Sequence, residues 1–228
     1  MKKKVNRLRV AIDGPAASGK HTLAKQIAKK YKLLHLDSGK LYRYFALQVH
    51  QSIDQKVNYV KLKQALKKLT LKKLKDKRLT TEPVTKIASI ISKKKRIRQM
   101  LKKVQHDLAY NPPKKFKGSV LDGRDIGTVI MPDAHVKVYL TAGLNVRAVR
   151  RYKEYKKMGI NTTLDKVKSD IKKRDYEDTH RKISSLKPAK DAVLLDSSFY
   201  NTRTAFVEID KVIRNEIKRL NATKHKSL

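Results

Sequence analysis

The stretch that most constrains this chain is residues 8–31. Leu8–Asp13 (LRVAID) is a short, nearly continuous apolar run, the signature of a buried strand. It leads straight into Gly14-Pro15-Ala16-Ala17-Ser18-Gly19-Lys20. Apolar residues then recur at Leu23, Ala24, Ile27, Ala28 and Tyr31, the spacing of one helix face. Strand, glycine-bounded loop and helix in that order make an anion cradle. The glycines let backbone N–H groups turn inward, the helix start adds further donors, and Lys20 brings a compact charge to the β and γ phosphates of a nucleotide. An ordinary glycine turn with a surface lysine is the competing account. The strand before the loop and the amphipathic helix after it weigh against that account. The usual pattern has Ser or Thr directly after the lysine; here His21 intervenes and Thr22 follows. A single histidine at a helix start reads as solvated rather than as a ligand or base, so no protein metal site is expected.

The rest of the chain alternates in the same way. Leu33–Leu36, Ser119–Asp122, Val136–Leu140 and Ala192–Leu195 read as four more short strands. Helical patterns cover Leu41–His50, Asn145–Met158, Leu164–Tyr176 and about Thr204–Leu220. Five strands separated by helices predict an α/β fold: a five-stranded parallel sheet with helices on both faces. Residues 54–108 differ. They are lysine-rich and mostly helical, and Asn111-Pro112-Pro113 closes the run. The expected division is therefore a core of 1–53 and 109–228, an insert at 54–108, and a short lid at 152–166 where Gly159–Thr163 breaks the helical pattern.

The net charge of +37 raises the question of nucleic acid. Only 15 of the 57 basic residues are Arg, and the 42 Lys are scattered with few aromatics between them. Base readers favour Arg forks and stacking rings. A solvated lysine surface with no specific nucleic-acid partner is the expectation. The absence of cysteine excludes thiol catalysis, disulfides and cysteine zinc sites, and fits a reducing compartment. No apolar run is long enough to span a membrane. The basic start Met1-Lys2-Lys3-Lys4, followed by an apolar run that Asp13 interrupts, reads as the lead into a first strand and not as a signal peptide. A cytoplasmic monomer is expected.

Four further clusters fall at strand ends or on the helices that follow: Asp37-Ser38-Gly39-Lys40-Leu41-Tyr42-Arg43, Asp122-Gly123-Arg124-Asp125-Ile126-Gly127-Thr128, Arg147 with Arg150 and Arg151, and Arg174-Asp175-Tyr176-Glu177-Asp178-Thr179-His180-Arg181. Each alone reads as surface ion pairs. Joined in order to a phosphate loop, they form the inventory of a phosphoryl transferase, in which arginines neutralise the moving group.

On these motifs (IDGPAASGKHT, LDSGKLYR, LDGRDIGT, RRYKEYKKMG, IKKRDYED and DAVLLDSS) the chain resembles the bacterial cytidylate kinases, from Val10 to about Ile213. Nucleoside monophosphate kinases often carry glycine where His21 stands and keep the next threonine, so Thr22 is in register. The resemblance implies a phosphate-loop kinase fold and transfer of the ATP γ-phosphoryl to CMP or dCMP with magnesium. By motif, Gly14, Pro15, Ala16, Ala17, Ser18, Gly19, Lys20, His21 and Thr22 would hold the ATP phosphates. Ser38 would lie at the pyrimidine end of the acceptor, Arg43 and Arg124 would clamp its phosphate, and Asp125 would join base recognition. Ser89 and Arg98 would read cytosine. Arg174 and Asp178 would meet the sugar, and Arg181 the acceptor side. Arg150, Arg151 and the stretch around Gly159 would form the lid, with Lys20, Arg150, Arg174 and Arg181 as the catalytic cations.

Two departures stand out. Tyr176 and Glu177 replace an Asp-Arg pair of the family. The insert is short, with Leu71–Arg78 where relatives carry a small sheet and Thr80 where an arginine is expected. The rival readings are a polynucleotide binder that carries a phosphate loop, and a kinase for UMP, AMP or a non-nucleotide acceptor. The Ser38…Arg43 and Arg124-Asp125 motifs weigh against the polynucleotide binder.

Overall fold

The computed structural model describes residues 7–52 and 56–225. The basic residues 1–4 and the expected boundary at 53/54 lie outside them. The chain divides into two compact units, one of residues 1–36 and 108–228, the other of Asp37–Asp107.

The first unit is built on a five-stranded parallel sheet. Its strands are β1 (Leu8–Asp13), β2 (Leu34–Asp37), β3 (Gly118–Gly123), β4 (Val136–Thr141) and β5 (Val193–Asp196), in the order β2-β3-β1-β4-β5. β1 sits in the middle, pairing Leu8 with Gly118 on one side and Val10 with Val136 on the other. A central strand with neighbours on both edges and helices on both faces must be apolar on both, which is why its alternation is lost. Val10 and Ile12 join Val120, Val138 and Leu140 in one core layer. Ala11 and Leu121, which alternate with them, are fully buried as well.

That layer is covered by helices α1 (Lys20–Tyr31) and, at the chain's end, Thr202–His225. Leu23, Ala24 and Ile27 of the first pack with Ala205, Ile209 and Ile213 of the second. Asp210 ties them together, accepting from Lys30 Nζ and Tyr31 Oη, both at 2.7 Å.

The second unit begins with α2 (Ser38–His50), then α3 (Tyr59–Lys67), α4 (Glu82–Ile91) and α5 (Lys95–Tyr110), the last running on past the unit's end. Leu41, Phe45, Leu62, Leu79, Ile91, Ile97 and Leu101 are buried. Residues 71–78 form no strand. They fold as two 3₁₀ turns, 73–75 and 77–80, that plant Leu74 and Leu79 inwards.

The first unit is completed by α6 (Leu144–Lys157), α7 (Leu164–His180) and the long α8 (Thr202–His225). Three helices differ from the sequence expectation by two residues or more at a limit. α2 starts at Ser38 rather than Leu41, because Asp37 caps it by accepting from Lys40 N–H at 3.3 Å. α7 continues to His180 rather than stopping at Tyr176, so Arg174 and Asp178 share one helix face. α8 starts two residues early, where Asn201 accepts from the N–H groups of Arg203 and Thr204, and runs on to His225.

Candidate active site

In the first unit the loop between β1 and α1 is fixed by backbone geometry. Gly14 has φ +150°, and a Cβ there would stand 1.9 Å from the Leu140 carbonyl oxygen of β4. Gly19, with φ +94°, precedes α1, and no side chain caps that helix. The close approach at Gly14 and the left-handed turn at Gly19 are open only to glycine. Between them Ala17 also has positive φ (+59°). Ser18 is fully buried, while His21 and Thr22 are exposed on the first turn of α1. Lys20 is buried and folds back over the loop, donating to Pro15 O at 2.5 Å and to Ser18 Oγ at 3.2 Å.

Its surroundings set an unusual balance. Burial drives the Lys20 ammonium well below its ordinary pKa, and the nearby guanidinium groups of Arg124 and Arg174 push the same way. The carboxylates of Asp122 and Asp13 oppose them. Asp13 ends β1 and accepts from the N–H groups of Ile126 and Gly127 at 2.8 and 2.7 Å. Burial still raises its carboxyl to about 6. Those two donors belong to a π turn, Ile126–Ile130, that follows Arg124-Asp125. Asp125 itself is buried.

Arg124 Nε donates to Asp178 of α7 at 2.7 Å, and Arg181 NH1 lies 3.3 Å from the other oxygen of the same carboxylate. Burial raises the Asp178 carboxyl, but Arg124 and Arg174 outweigh it and hold the group below its usual range. Arg174, half-buried on α7, is thus tied electrostatically both to Lys20 and to Asp178.

The three arginines of α6 separate in the structure. Arg147 is buried and donates to Ala142 O at 2.7 Å, to Ala16 O in the loop at 3.2 Å and to Asp175 at 2.5 Å. Arg150 is held by Ser197 Oγ and by the carbonyl oxygens of Ser197 and Tyr200. Arg151 pairs with Glu154 and lies over the Tyr155 ring. Between α6 and α7, Gly159 turns the chain with φ +71°.

In the second unit, Ser38 opens α2 and is buried. Arg43 lies one turn beyond Gly39, with its Nη1 3.9 Å from Asp37 Oδ2. A Cβ on Gly39 would stand 3.0 Å from the Asp37 carboxylate and 3.8 Å from Arg43, so the glycine leaves room for that pair. Ser89 is half-buried on α4. Arg98 is buried on α5, donates to Ser92 O at 3.1 Å and lies over the Tyr42 ring at 5.6 Å.

Sequence reasoning passed over four groups. Asp13 was visible only as an acid closing an apolar strand, a signal worth reading in a sheet whose ligands gather at strand ends. Arg147 was counted with its neighbours, although Asp175 and the loop claim it. Ser197, whose Oγ lies 3.0 Å from Ser18 O and 2.9 Å from Thr141 O, was visible only inside the motif DAVLLDSS, with no role of its own. His21 is not solitary: its ring centroid is 5.0 Å from that of His35.

A parallel α/β sheet with a glycine-turned loop at its centre, a buried lysine and a surrounding group of arginines defines a kinase-like, nucleotide-binding transferase. The comparisons narrow this further. The family description "Cytidylate kinase" matches residues 10–215, and the chain belongs to that family. A cytidylate kinase of Ligilactobacillus salivarius is 39% identical, covering 93% of this chain and 96% of that protein. One of Bradyrhizobium diazoefficiens is 45% identical over 83% of this chain and 87% of its own. Among solved structures, an uncharacterized protein from Eubacterium ventriosum shares the fold with a TM-score of 0.52 at 15% identity, over 91% of this chain and 98% of that one.

Proposed function

We propose that this chain transfers the γ-phosphoryl group of ATP to CMP or dCMP, giving ADP and CDP or dCDP. The observation that carries the reading is the buried Lys20 beside Arg124 and Arg174. Burial and these two guanidinium groups depress the charge on Lys20, and a bound polyanion would favour it again. In this reading Gly14–Thr22 bind the ATP phosphates, chiefly through backbone N–H groups and the Lys20 ammonium. Lys20, Arg174 and Arg181 stabilise the charge that develops on the transferred group, and Arg150 and Arg151 serve the donor side near a short lid at 152–166. Arg150 spends most of its donors on residues 197 and 200, so its part is to fix the lid's base.

For the acceptor, Arg43 and Arg124 are assigned to its phosphate and Ser38 and Asp125 to the pyrimidine end. Ser89 and Arg98, in an insert of residues 54–108, are assigned to the cytosine edge, and Arg174, Asp178 and Arg181 to the sugar side. Arg181 and Arg124 share Asp178, so these three side chains of the first unit hold one another in place, which supports their assignment to one site.

Magnesium belongs to the same proposal, with one protein oxygen offered to it. Thr22 offers a hydroxyl on the exposed first turn of α1, and oxygen is the donor type this ion takes. Magnesium would draw charge from the β and γ phosphates, with Thr22 as its protein contact. Asp13 is committed to Ile126 and Gly127 and is left out of that role. A cytoplasmic monomer belongs to the same proposal, since ATP and CMP are small soluble nucleotides and the sequence carries no surplus apolar stripe.

The test is a screen of nucleoside monophosphates by coupled ADP release. CMP and dCMP are expected as the best acceptors. Turnover with no pyrimidine monophosphate, or tight salt-sensitive RNA binding without acceptor-dependent ATP use, would overturn the reading.

A further inference from the structure

The chain has seven histidines, and the fold gathers two of them against a buried acid. His21 comes from the first turn of α1, His35 from β2 and Asp122 from β3. His35 Nε2 lies 2.7 Å from Asp122 Oδ1. The His21 and His35 rings are tilted by 48° with centroids 5.0 Å apart. One ligand atom from each of the three residues lies within 4.8 Å of the other two. Asp122 is buried, His35 half-buried and His21 exposed, so the site has an inner wall and an open side.

We propose that His21, His35 and Asp122 bind a single divalent transition-metal ion, with zinc the best match. Two imidazoles and a carboxylate are a donor set that zinc takes when its fourth position stays open. Ligand atoms about 2.0–2.2 Å from zinc lie roughly 3.3 Å from one another in a tetrahedron. The wider separations must therefore close by about 1.5 Å at most, which rotation of the exposed His21 side chain supplies, while the His35–Asp122 contact opens slightly. Magnesium prefers oxygen donors and would not compete for the imidazoles. All three ligands lie in the first unit but on separate elements, so the ion would pin the first turn of α1, and with it the residue after Lys20, to two adjacent strands. This inference stands apart from the choice of phosphoryl acceptor.

Calorimetric titration of the full chain with zinc chloride, without nucleotide, tests it, alongside visible absorption spectra with cobalt(II). One ion per chain is expected, unaffected by excess magnesium, with a cobalt spectrum of low coordination number. Zinc should also raise the melting temperature by several degrees.

His35→Gln keeps an N–H donor near the place of Nε2 for Asp122 but removes the metal ligand. It should weaken zinc binding at least tenfold and abolish the cobalt band, while zinc-free CMP-dependent turnover stays at the parent level. His21→Asn, at an exposed position, should weaken zinc to a similar degree, and His106→Gln should not. Parent-like zinc affinity in His35→Gln, or a six-coordinate, all-oxygen cobalt spectrum, would refute the site. Because binding is read without nucleotide, failure of the acceptor screen and failure of this proposal are separate results.

Discussion

Burying an ammonium group costs stability unless anions offset it, and Lys20 is only partly offset. It is nearly inaccessible to solvent, and two guanidinium groups reinforce the burial effect. Lys20→Met should therefore lower turnover by a factor of at least about 100, the usual loss of a charge-stabilising donor. The melting temperature should stay at the parent value or rise. ADP release and thermal melts on the same preparation check both halves, and a melting temperature well below the parent's would contradict the electrostatic account. Asp13 gives the pH signature. With its folded pKa near 6 and an ordinary value of 3.8, the folded state holds a proton that the unfolded chain releases. That contribution is full below pH 4, fades as pH rises through 6, and amounts to about 3 kcal/mol at most. Asp13→Asn cannot titrate, and it turns an NH₂ towards an N–H that needs an acceptor, so it should be less stable by about 1–3 kcal/mol at neutral pH. The parent's advantage should be larger at pH 4.5 than at pH 7 in paired melts. A gap that widens with rising pH would contradict the burial of this carboxyl. At this scale the sequence was informative about residues inside a motif and silent about their supports. Gly14–Thr22 could be read directly, whereas the buried bonds of Arg147 and Ser197 depend on what the fold brings alongside them.

Helices α6 and α7 show how elements are clamped to the loop. Arg147 joins α6 to the end of β4 through Ala142, to the loop through Ala16 and to α7 through Asp175. Sharing a helix face with Arg151 says little about its work, because Arg151 spends its charge on Glu154. Removing one partner of a buried, hydrogen-bonded pair typically costs about 3 kcal/mol or more. Arg147→Ala should therefore destabilise the fold by about that amount and raise the KM for ATP more than that for CMP. Arg147→Lys, with too few donors for three acceptors, should recover only part of both. Equal effects on the two KM values would refute the specific link to the loop. Strand existence and order of appearance were legible because short apolar runs between glycine and proline signals leave few alternatives. Helix limits were not. Asp37 and Asn201 act as caps that moved two starts upstream, and nothing between Tyr176 and His180 ends α7. The 3₁₀ turns at 73–75 and 77–80 were equally hidden, since Leu74 and Leu79 match no regular period.

The whole molecule carries a charge of +37 on 228 residues. Many of its ion pairs are exposed ones that bring little, such as Lys86–Glu82 and Lys166–Asp170. Unbalanced lysines repel one another in the compact state more than in the expanded one. Salt shortens the reach of that repulsion to about 10 Å at 0.1 M. Melting temperature should rise by several degrees between roughly 20 and 300 mM potassium chloride, where the screening length falls several-fold. A flat or falling trend would mean that the lysines are balanced by contacts. Charge in the sequence announced this behaviour without revealing a partner. Among the described residues no helix is long and apolar enough to cross a membrane.

The position of β1 at the centre of the sheet has a consequence during synthesis. The strand is translated before the partners that hydrogen-bond to it, since β3 and β4 follow about a hundred residues later or more. At roughly 5–20 residues per second a ribosome takes about 5–20 s to deliver β3. Meanwhile the contiguous segment Asp37–Asp107 has been translated whole. The nascent chain therefore spends seconds with an apolar, unpaired strand, and a pause in translation before Val136 would prolong the time in which β1 can pair with the wrong neighbour.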